Sequence, residues 1–429
     1  MKKYYEFSPI NLGRWLIWGT FVLVLVVAPL VFTGGLARTV LSQMGIAIIA
    51  CLSYNMLLGQ GGMLSFGHAV YTGLGSFLAI HALNSVSAGS LPLPVSLVPL
   101  VGGLAGAGFA VLFGYVTTRK SSTTFAMITL GLAAFVFAMS LMISEFFGGE
   151  GGVSGNRVAG SSPFGITFGP QVQVYYLIAA YTLVCVIAMF AFTRTPLGRI
   201  LNAVRDNPER VEFIGYDTHW VRYITFIIAG FFAGISGGLG AISFEIVTAE
   251  VVGAARSGGY LLFTFLGGAT FFFGPIIGGV LMVLATVLLS EFTKAWLLYL
   301  GLIFMFMVMY APGGIASLIM MNVRVAAFGK LSRLWRNYLA LTAAGIVAFA
   351  GLATLIEMIY HLQLNHTSGT TMSFLGINLD VHGWGSWGGT LAVVAISMTA
   401  LEFIRRKFLL QWGTIQEEIE KEIKRREAL

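Results

Sequence analysis

Charge is scarce in this 429-residue chain, where Asp, Glu, Lys and Arg together make up 10% of the residues against about 25% in an average soluble domain. Water is thereby excluded as the main solvent, and the 57% hydrophobic share agrees, since soluble chains hold about 45–50%. Cysteine is nearly absent. Cys51 and Cys185 both lie inside apolar runs, which excludes a disulfide framework and a metal-ligand cluster. A phosphate-cradling loop is missing as well: Gly329-Lys330, the one Gly-Lys dipeptide, is followed by Leu331, so this polypeptide does not hold ATP by that device. Neither HExxH nor GxSxG occurs and the six histidines are scattered, so an intramembrane enzyme has no identifiable constellation.

What the chain does have is a succession of apolar runs, each long enough to cross a hydrocarbon layer of about 30 Å. With no water inside a bilayer to satisfy backbone groups, such runs become helices. An outer-membrane barrel would instead alternate polar and apolar residues over segments of about 10. The runs predict twelve spans: 15–33, 38–58, 63–83, 95–117, 123–145, 173–193, 222–244, 257–273, 275–291, 295–311, 338–359 and 386–404. The first lacks a small-residue cleavage site and reads as a retained span, not a signal peptide. The pair around Gly274-Pro275 reads either as a hairpin or as one broken, re-entrant element.

The formal charge of +7 could suit nucleic acid or an anionic membrane surface, and the positions of the charges decide for the membrane. With a cytoplasmic N-terminus, Lys2, Lys3, Arg14, Arg119, Lys120, the arginines from 194 to 222, Arg324, Lys330, Arg333, Arg336 and the basic residues of 405–426 all fall inside. Only Arg38, Arg157, Arg256 and Lys294 fall outside, a split of 21 to 4 among the 25 Lys and Arg. By the positive-inside rule both termini are cytoplasmic.

Glycine is abundant and often spaced four apart, as at Gly102/Gly106, Gly230/Gly234, Gly234/Gly238 and Gly274/Gly278, the spacing that lets helices approach closely in lipid. Three stretches are not membrane-like: a Gly-rich loop at 146–169, a charged segment at 193–220 and a charged tail from Gln411. In the tail, Ile415, Ile419 and Ile423 repeat every four residues beside the i,i+4 pairs Glu417/Lys421, Glu420/Lys424 and Glu422/Arg426, which predicts a helix, either solvated or docked to a partner. Glu145, Glu245, Glu250, Arg256, Glu291 and Glu357 lie near span ends, and none makes a mid-membrane proton relay.

Two segments carry the functional signal. In NMLLGQGGMLSFGHAVYTGLGSFLA, Asn55 to Ala79, Gly59, Gly61 and Gly62 weaken the helix, while Ser65 and His68 place polar groups in a spanning stretch. A helix broken there offers backbone N–H groups and a positive dipole end to a polar solute; alternatively these residues only pack, with His68 bonded to a backbone carbonyl. In the segment at 193–220, Ile200, Leu201 and Val204 form one apolar face and Asn207-Pro208 starts a second short helix. Its length, mixed charge and apolar face favour a small helix pair docking into a soluble partner over a solvated loop. A self-sufficient secondary carrier or channel is the rival reading.

These residues resemble the branched-chain amino-acid ABC permease family. The first segment is similar to that family's NLLxGxxGxxSxGHAxFxGxGAY, matching at Asn55, Leu57, Leu58, Gly59, Gly62, Ser65, Gly67, His68, Ala69, Gly73 and Gly75. GGEGGVSG looks like its Thr-Gly-Gly-x-x-Gly loop, and TPLGRILNAVRDNPERVEFIGYD like its coupling segment, with Gly198, Arg199, Ala203, Arg205, Asn207 and Gly215 in place. GGATFFFGPIIGGVLMVLATVLLSEF and YAPGGIASL resemble its last core helices. Glu212 and Phe213 replace small residues common in the coupling motif, and Gly313 stands where a basic residue often follows the last proline.

The resemblance implies an all-α, polytopic helical membrane bundle in a bacterial inner membrane, with about ten core spans, two C-terminal spans and a charged cytoplasmic tail helix. The resemblance runs from about Val40 to Leu318, so 1–320 reads as the permease core, and 321–429, with its two spans and tail, falls outside the resemblance and reads as an appended two-span module of unknown role. The substrate path would follow Asn55, Gly59, Gly62, Ser65, Gly67, His68, Gly73 and Gly75. Gly198, Arg199, Ala203, Arg205, Asn207, Glu209 and Gly215 would couple to ATPases. Implied partners are two cytoplasmic ABC ATPases, a second related permease and a periplasmic solute-binding protein; no nucleic acid, metal or cofactor is implied on this chain, ATP being used by the partners. The solute would be a branched-chain amino acid, with urea, short amides and other carboxylates as related choices.

Overall fold

A computed structural model describes residues 12–120, 122–158, 167–364, 371–374 and 377–427. The helices in chain order are α1 (Leu12–Val31), α2 (Gly35–Asn55), α3 (His68–Ser87), α4 (Val98–Thr117), α5 (Ser122–Met142), α6 (Ser144–Phe147), α7 (Gln171–Arg194), α8 (Pro196–Asp206) and α9 (Pro208–Phe213). They continue as α10 (Thr218–Phe244), α11 (Ala254–Gly267), α12 (Gly274–Val283), α13 (Ser290–Phe292), α14 (Trp296–Tyr310), α15 (Gly314–Ala327), α16 (Trp335–Leu364) and α17 (Trp384–Glu427). Strands are confined to two short antiparallel pairs, β1 (Val153–Ser154) with β2 (Ile246–Val247), and β3 (Thr371–Phe374) with β4 (Ile377–Asp380). The chain is therefore an all-α membrane bundle.

Every one of the twelve apolar runs forms helix, but among the described residues only α2, α4, α5, α7, α10, α16 and α17 are long and apolar enough to cross a bilayer unaided. An eighth arises if α14 and α15, bent by 45° at Ala311–Gly313, count as one broken span. The shortfall has physical reasons. α3 carries His68, Thr72, Ser76, His81 and Asn84, which lower its hydropathy. α11 has 14 residues, about 21 Å of helix at 1.5 Å each, too short for a 30 Å core.

The chain divides into two compact units, one holding the residues up to Glu291 with Ile303–Ser317, the other Phe292–Leu302 with Leu318–Leu429. In the first, α3, α4 and α10 are drawn together by glycine. A β-carbon placed on Gly234 would stand 2.1 Å from the Gly102 carbonyl oxygen, and one on Gly106 would stand 2.3 Å from that of Gly230. Gly75 meets both Gly234 and Gly102, so three backbones touch at one point. Packing of this closeness holds helices together where lipid supplies no hydrophobic drive between them. Hydroxyl bonds add to it: Ser236 donates to the Ile46 carbonyl at 3.0 Å and Ser76 to that of Gly237 at 2.9 Å.

α11 and α12 lie on either side of the turn before Gly274-Pro275. They run back to back as a hairpin, with Gly278 against the Phe263 carbonyl and Gly267 against that of Gly274. The turn precedes the proline and passes through Gly268 at φ +112, a value that suits a residue without a β-carbon.

In the second unit, α16 and α17 pack against each other. α17 is one helix of 44 residues, so the tail is not a separate element but the continuation of the last span. Its isoleucine stripe is covered within the chain: Ile415 and Ile419 join Val325 and Leu334 in a buried cluster, with Phe328, Tyr338, Trp412 and Ile423 around it. Lys330 reaches Glu418 at 2.7 Å beside that cluster. Tyr299, near the start of α14, donates to Glu357 of α16 at 3.3 Å, and Thr293 bonds the same carboxylate.

Candidate functional site

The break between α2 and α3 begins as a π-helical turn over Met56–Gln60. The Leu57 carbonyl accepts from the amides of both Gly61 and Met63, which closes the helix. Gly59 has no room for a side chain, since a β-carbon there would lie 2.2 Å from the Ala269 carbonyl oxygen and 2.3 Å from Asn55 Oδ1. Gly62 sits at φ +65, in the left-handed region. From there the chain climbs without regular structure to His68, where α3 starts.

His68 is 0% exposed. Its Nε2 lies 2.8 Å from Ser53 Oγ, and Ser53 Oγ in turn donates to the Ala50 carbonyl at 2.8 Å. A serine hydroxyl has one proton, so with that proton on the Ala50 carbonyl it is Nε2 that carries the hydrogen shared with Ser53. Nδ1 is then the bare acceptor, and it has no protein partner among the described residues. The histidine partner is thus a hydroxyl and not the backbone carbonyl that packing alone suggests. The rings of Tyr54, Tyr71 and Tyr260 enclose the imidazole, with centroids at 5.2, 6.4 and 6.3 Å.

The backbone amides at this helix start are served by side chains. Phe66 donates to Thr129 Oγ1 at 3.1 Å, Gly67 to Ser65 Oγ at 3.3 Å and Ala69 to Ser257 Oγ at 3.0 Å. Tyr54 holds the Ser65 carbonyl at 2.9 Å. Asn55 is buried, as are Gly73, packed on Val251 and Val252, and Gly75 at the three-helix junction. Of the eight residues expected along a path, Gly62 alone is exposed.

The charged segment forms two helices with side-chain caps at each start. Thr195 Oγ1 accepts from the Gly198 amide at 3.2 Å, Asn207 Oδ1 from that of Arg210 at 3.0 Å, and Asp217 Oδ1 from that of His219 at 2.8 Å. These satisfy amides that the helices themselves leave open. Leu201, Val204 and Val211 are buried, Ile200 is half-buried, and Gly198 lies against the Phe192 carbonyl. Arg199, Ala203, Glu209, Arg210 and Gly215 are exposed, Gly215 at φ +94, and Asn207 is half-buried.

Arg205 is exposed as well, but its Nη1 donates to the Gly59 carbonyl and its Nε to Asp206 Oδ1 at 2.9 Å. The structure therefore joins two segments that lie 146 residues apart in sequence. Two apolar side chains at the end of α9 were not expected, Phe213 at 89% and Ile214 at 74% exposure. Phe213 had a signal in the sequence, as a departure from the small residues of the coupling motif, and Ile214 had none.

The Gly-rich loop is bolted to the end of α10. Glu245 ends that helix at φ +56 and accepts from the Arg157 amide at 2.9 Å, while the Arg157 guanidinium bonds the carbonyls of Phe168, Ile242 and Ser243 and the side chain of Gln171. The ion pair itself is long, 3.8 Å. Residues 159–166 of the loop lie outside the described residues.

Comparison with known proteins bears on the same stretch of chain. Residues 36–313, from the start of α2 to the residue before α15, match a family model described as "Branched-chain amino acid transport system / permease component". The chain is 27% identical over 294 residues to the high-affinity branched-chain amino acid transport system permease protein LivM of Salmonella typhimurium (strain LT2), covering 63% of this chain and 67% of that one. It is 26% identical over 292 residues, with the same coverage, to LivM of Escherichia coli (strain K12). No solved structure matches. With well over half of its residues in that match, and with the broken α2–α3 element and the capped α8–α9 pair inside it, this multi-pass membrane chain belongs to the branched-chain amino acid transport permease family.

Proposed function

We propose that this chain is one permease subunit of an ATP-driven, binding-protein-dependent importer that carries branched-chain amino acids or similar small polar solutes across a bacterial inner membrane. The observation that supports this reading best is the α8–α9 pair: a folded, capped element whose apolar face packs inward and whose polar face, with Phe213 and Ile214, is presented to a partner. A loop with no partner has no physical reason to expose those two side chains. Two cytoplasmic ATPases hold this element and its counterpart on a second, related permease, a periplasmic protein delivers the solute, and both termini of this chain are cytoplasmic.

The solute path runs beside the α2–α3 break, along Asn55, Gly59, Gly62, Ser65, Gly67, His68, Gly73 and Gly75. In the arrangement described here most of these positions are buried, which is the closed form, and movement of α8 opens it. The contacts to the ATPases come from the exposed face, Arg199, Ala203, Glu209 and Gly215, while Gly198 and Asn207 shape the helices that carry them. Arg205 belongs to the same element.

Purification from native membranes in mild detergent tests the assembly. Two ATPase chains and a second permease accompany this one, and deletion of Arg199 to Gly215 releases the ATPases with the membrane fold intact. Uptake by the isolated chain, driven by a proton gradient without ATP, would overturn the proposal. A cysteine at Asn207 that reacts with an impermeant label from outside intact cells would overturn it too.

A further inference from the structure

We infer that Arg205 is a positioning residue, a strut within this chain that passes movement of α8 to the end of α2, and not a contact to the ATPase. The inference rests on the function proposed above and deepens it. Arg205 and Leu201 lie one helical turn apart on the same face of α8. Arg205 places its stem over Gly62, where a β-carbon would come within 2.8 Å of Cγ, and Leu201 places a methyl 3.2 Å from the β-carbon position of Gly61. The guanidinium then bonds the Gly59 carbonyl.

That carbonyl needs a partner. The amides of Gly61 and Gly62 bond the carbonyls of Leu57 and Leu58, so the last turn is closed one step before Gly59. The carbonyl end of a helix carries partial negative charge, which a cation from another element satisfies better than a neutral donor does. Nε is fixed by Asp206, so the fork is aimed before it reaches α2. On its far side Gly59 abuts the Ala269 carbonyl of the α11–α12 turn. The π-helical turn is thus wedged between α8 and that hairpin. Because packed interiors do not compress, a displacement of α8 has to move Gly59–Gly62, and with it the short run leading to His68. Arg199, Glu209 and Arg210 face solvent and make no contact of this kind with α2 among the described residues.

The test uses the complete assembly in proteoliposomes, with Arg205→Ala, Arg205→Lys, Gly62→Ala and the Arg205→Ala/Gly62→Ala pair. The ATPases co-purify with every variant at the wild-type ratio, whereas solute carried per ATP hydrolysed falls about tenfold or more in R205A and in G62A. R205K, which restores the charge but only one of the two bonds, falls between. The double variant is no worse than the worse single, as expected for two sites acting through one contact. Loss of the ATPases from R205A overturns the inference, as does an unchanged ratio in both single variants.

A second measurement needs no partner. In the isolated chain, backbone amides of residues 56–67 exchange with solvent about tenfold faster in R205A than in wild type, and unchanged exchange overturns the strut. If wild-type protein brings down no ATPases while exchange still responds, the function proposed above fails and the strut stands.

Discussion

Arg205 on α8 donates to the carbonyl of Gly59 in the turn that ends α2, so a side-chain hydrogen bond ties the charged helix pair to the broken span.

Glycine at the α3–α4–α10 junction sets the helix spacing. Gly106→Ala puts a methyl where the Gly230 carbonyl stands, an overpacking that costs about 1–3 kcal/mol. Gly108→Ala, on the same helix and facing open space, gains about 0.5–1 kcal/mol from helix propensity. Thermal unfolding in detergent separates the two, and equal shifts would refute the packing role.

Phe213 and Ile214 stand out on the exposed tip of α9. If they meet a partner, truncation of either removes a large part of the binding energy, of the order of 2 kcal/mol for a buried anchor, or roughly a thirtyfold loss of affinity. Phe213→Ala is expected to shed the ATPases on washing while the purified chain melts at the wild-type temperature. Retention of the ATPases by Phe213→Ala and Ile214→Ala together would place the partner contact elsewhere.

His68 is held in one tautomer by Ser53. Solid-state ¹⁵N spectra of labelled protein are expected to show a protonated Nε2 and an unprotonated Nδ1; the reverse assignment would contradict the hydrogen-bond geometry. Ser53→Ala strands the buried Nε2–H, at a cost of about 1–3 kcal/mol, and lowers the melting temperature accordingly.

Much of this was legible in the residues. The apolar runs placed every long helix, because hydrophobic length is set by the bilayer and has no other cause in so uncharged a chain. Gly59 to Gly62 announced the break, and Asn207-Pro208 the second short helix, since both act through local backbone chemistry. The contact from Arg205 to Gly59 was not legible, as it joins residues far apart and the sequence says nothing of which arginine on α8 reaches the end of α2. The coverage of Ile415 and Ile419 by Val325 and Leu334 was hidden for the same reason. α3, α11 and α12 fall short of a crossing by length and composition because polar residues or glycine turns interrupt their apolar runs.

The cluster around Ile419 is the device that makes the tail rigid. Ile419→Ala costs about 2–5 kcal/mol if the site cannot collapse, whereas Glu418→Gln, at a solvent-screened ion pair, changes stability far less. Hydrogen exchange over residues 405–427 reports both, and comparable effects from the two substitutions would show that the pair, not the packing, braces the helix.

α17 has no joint where it leaves the apolar stretch ending near residue 404, and roughly 23 further residues extend it by about 34 Å. It is a lever with its fulcrum in the lipid: a tilt of about ten degrees swings the far end sideways by about 6 Å, the width of a helix turn. Whatever tilts the span is therefore carried along one rod to the cluster that Ile415 and Ile419 make with Val325 and Leu334.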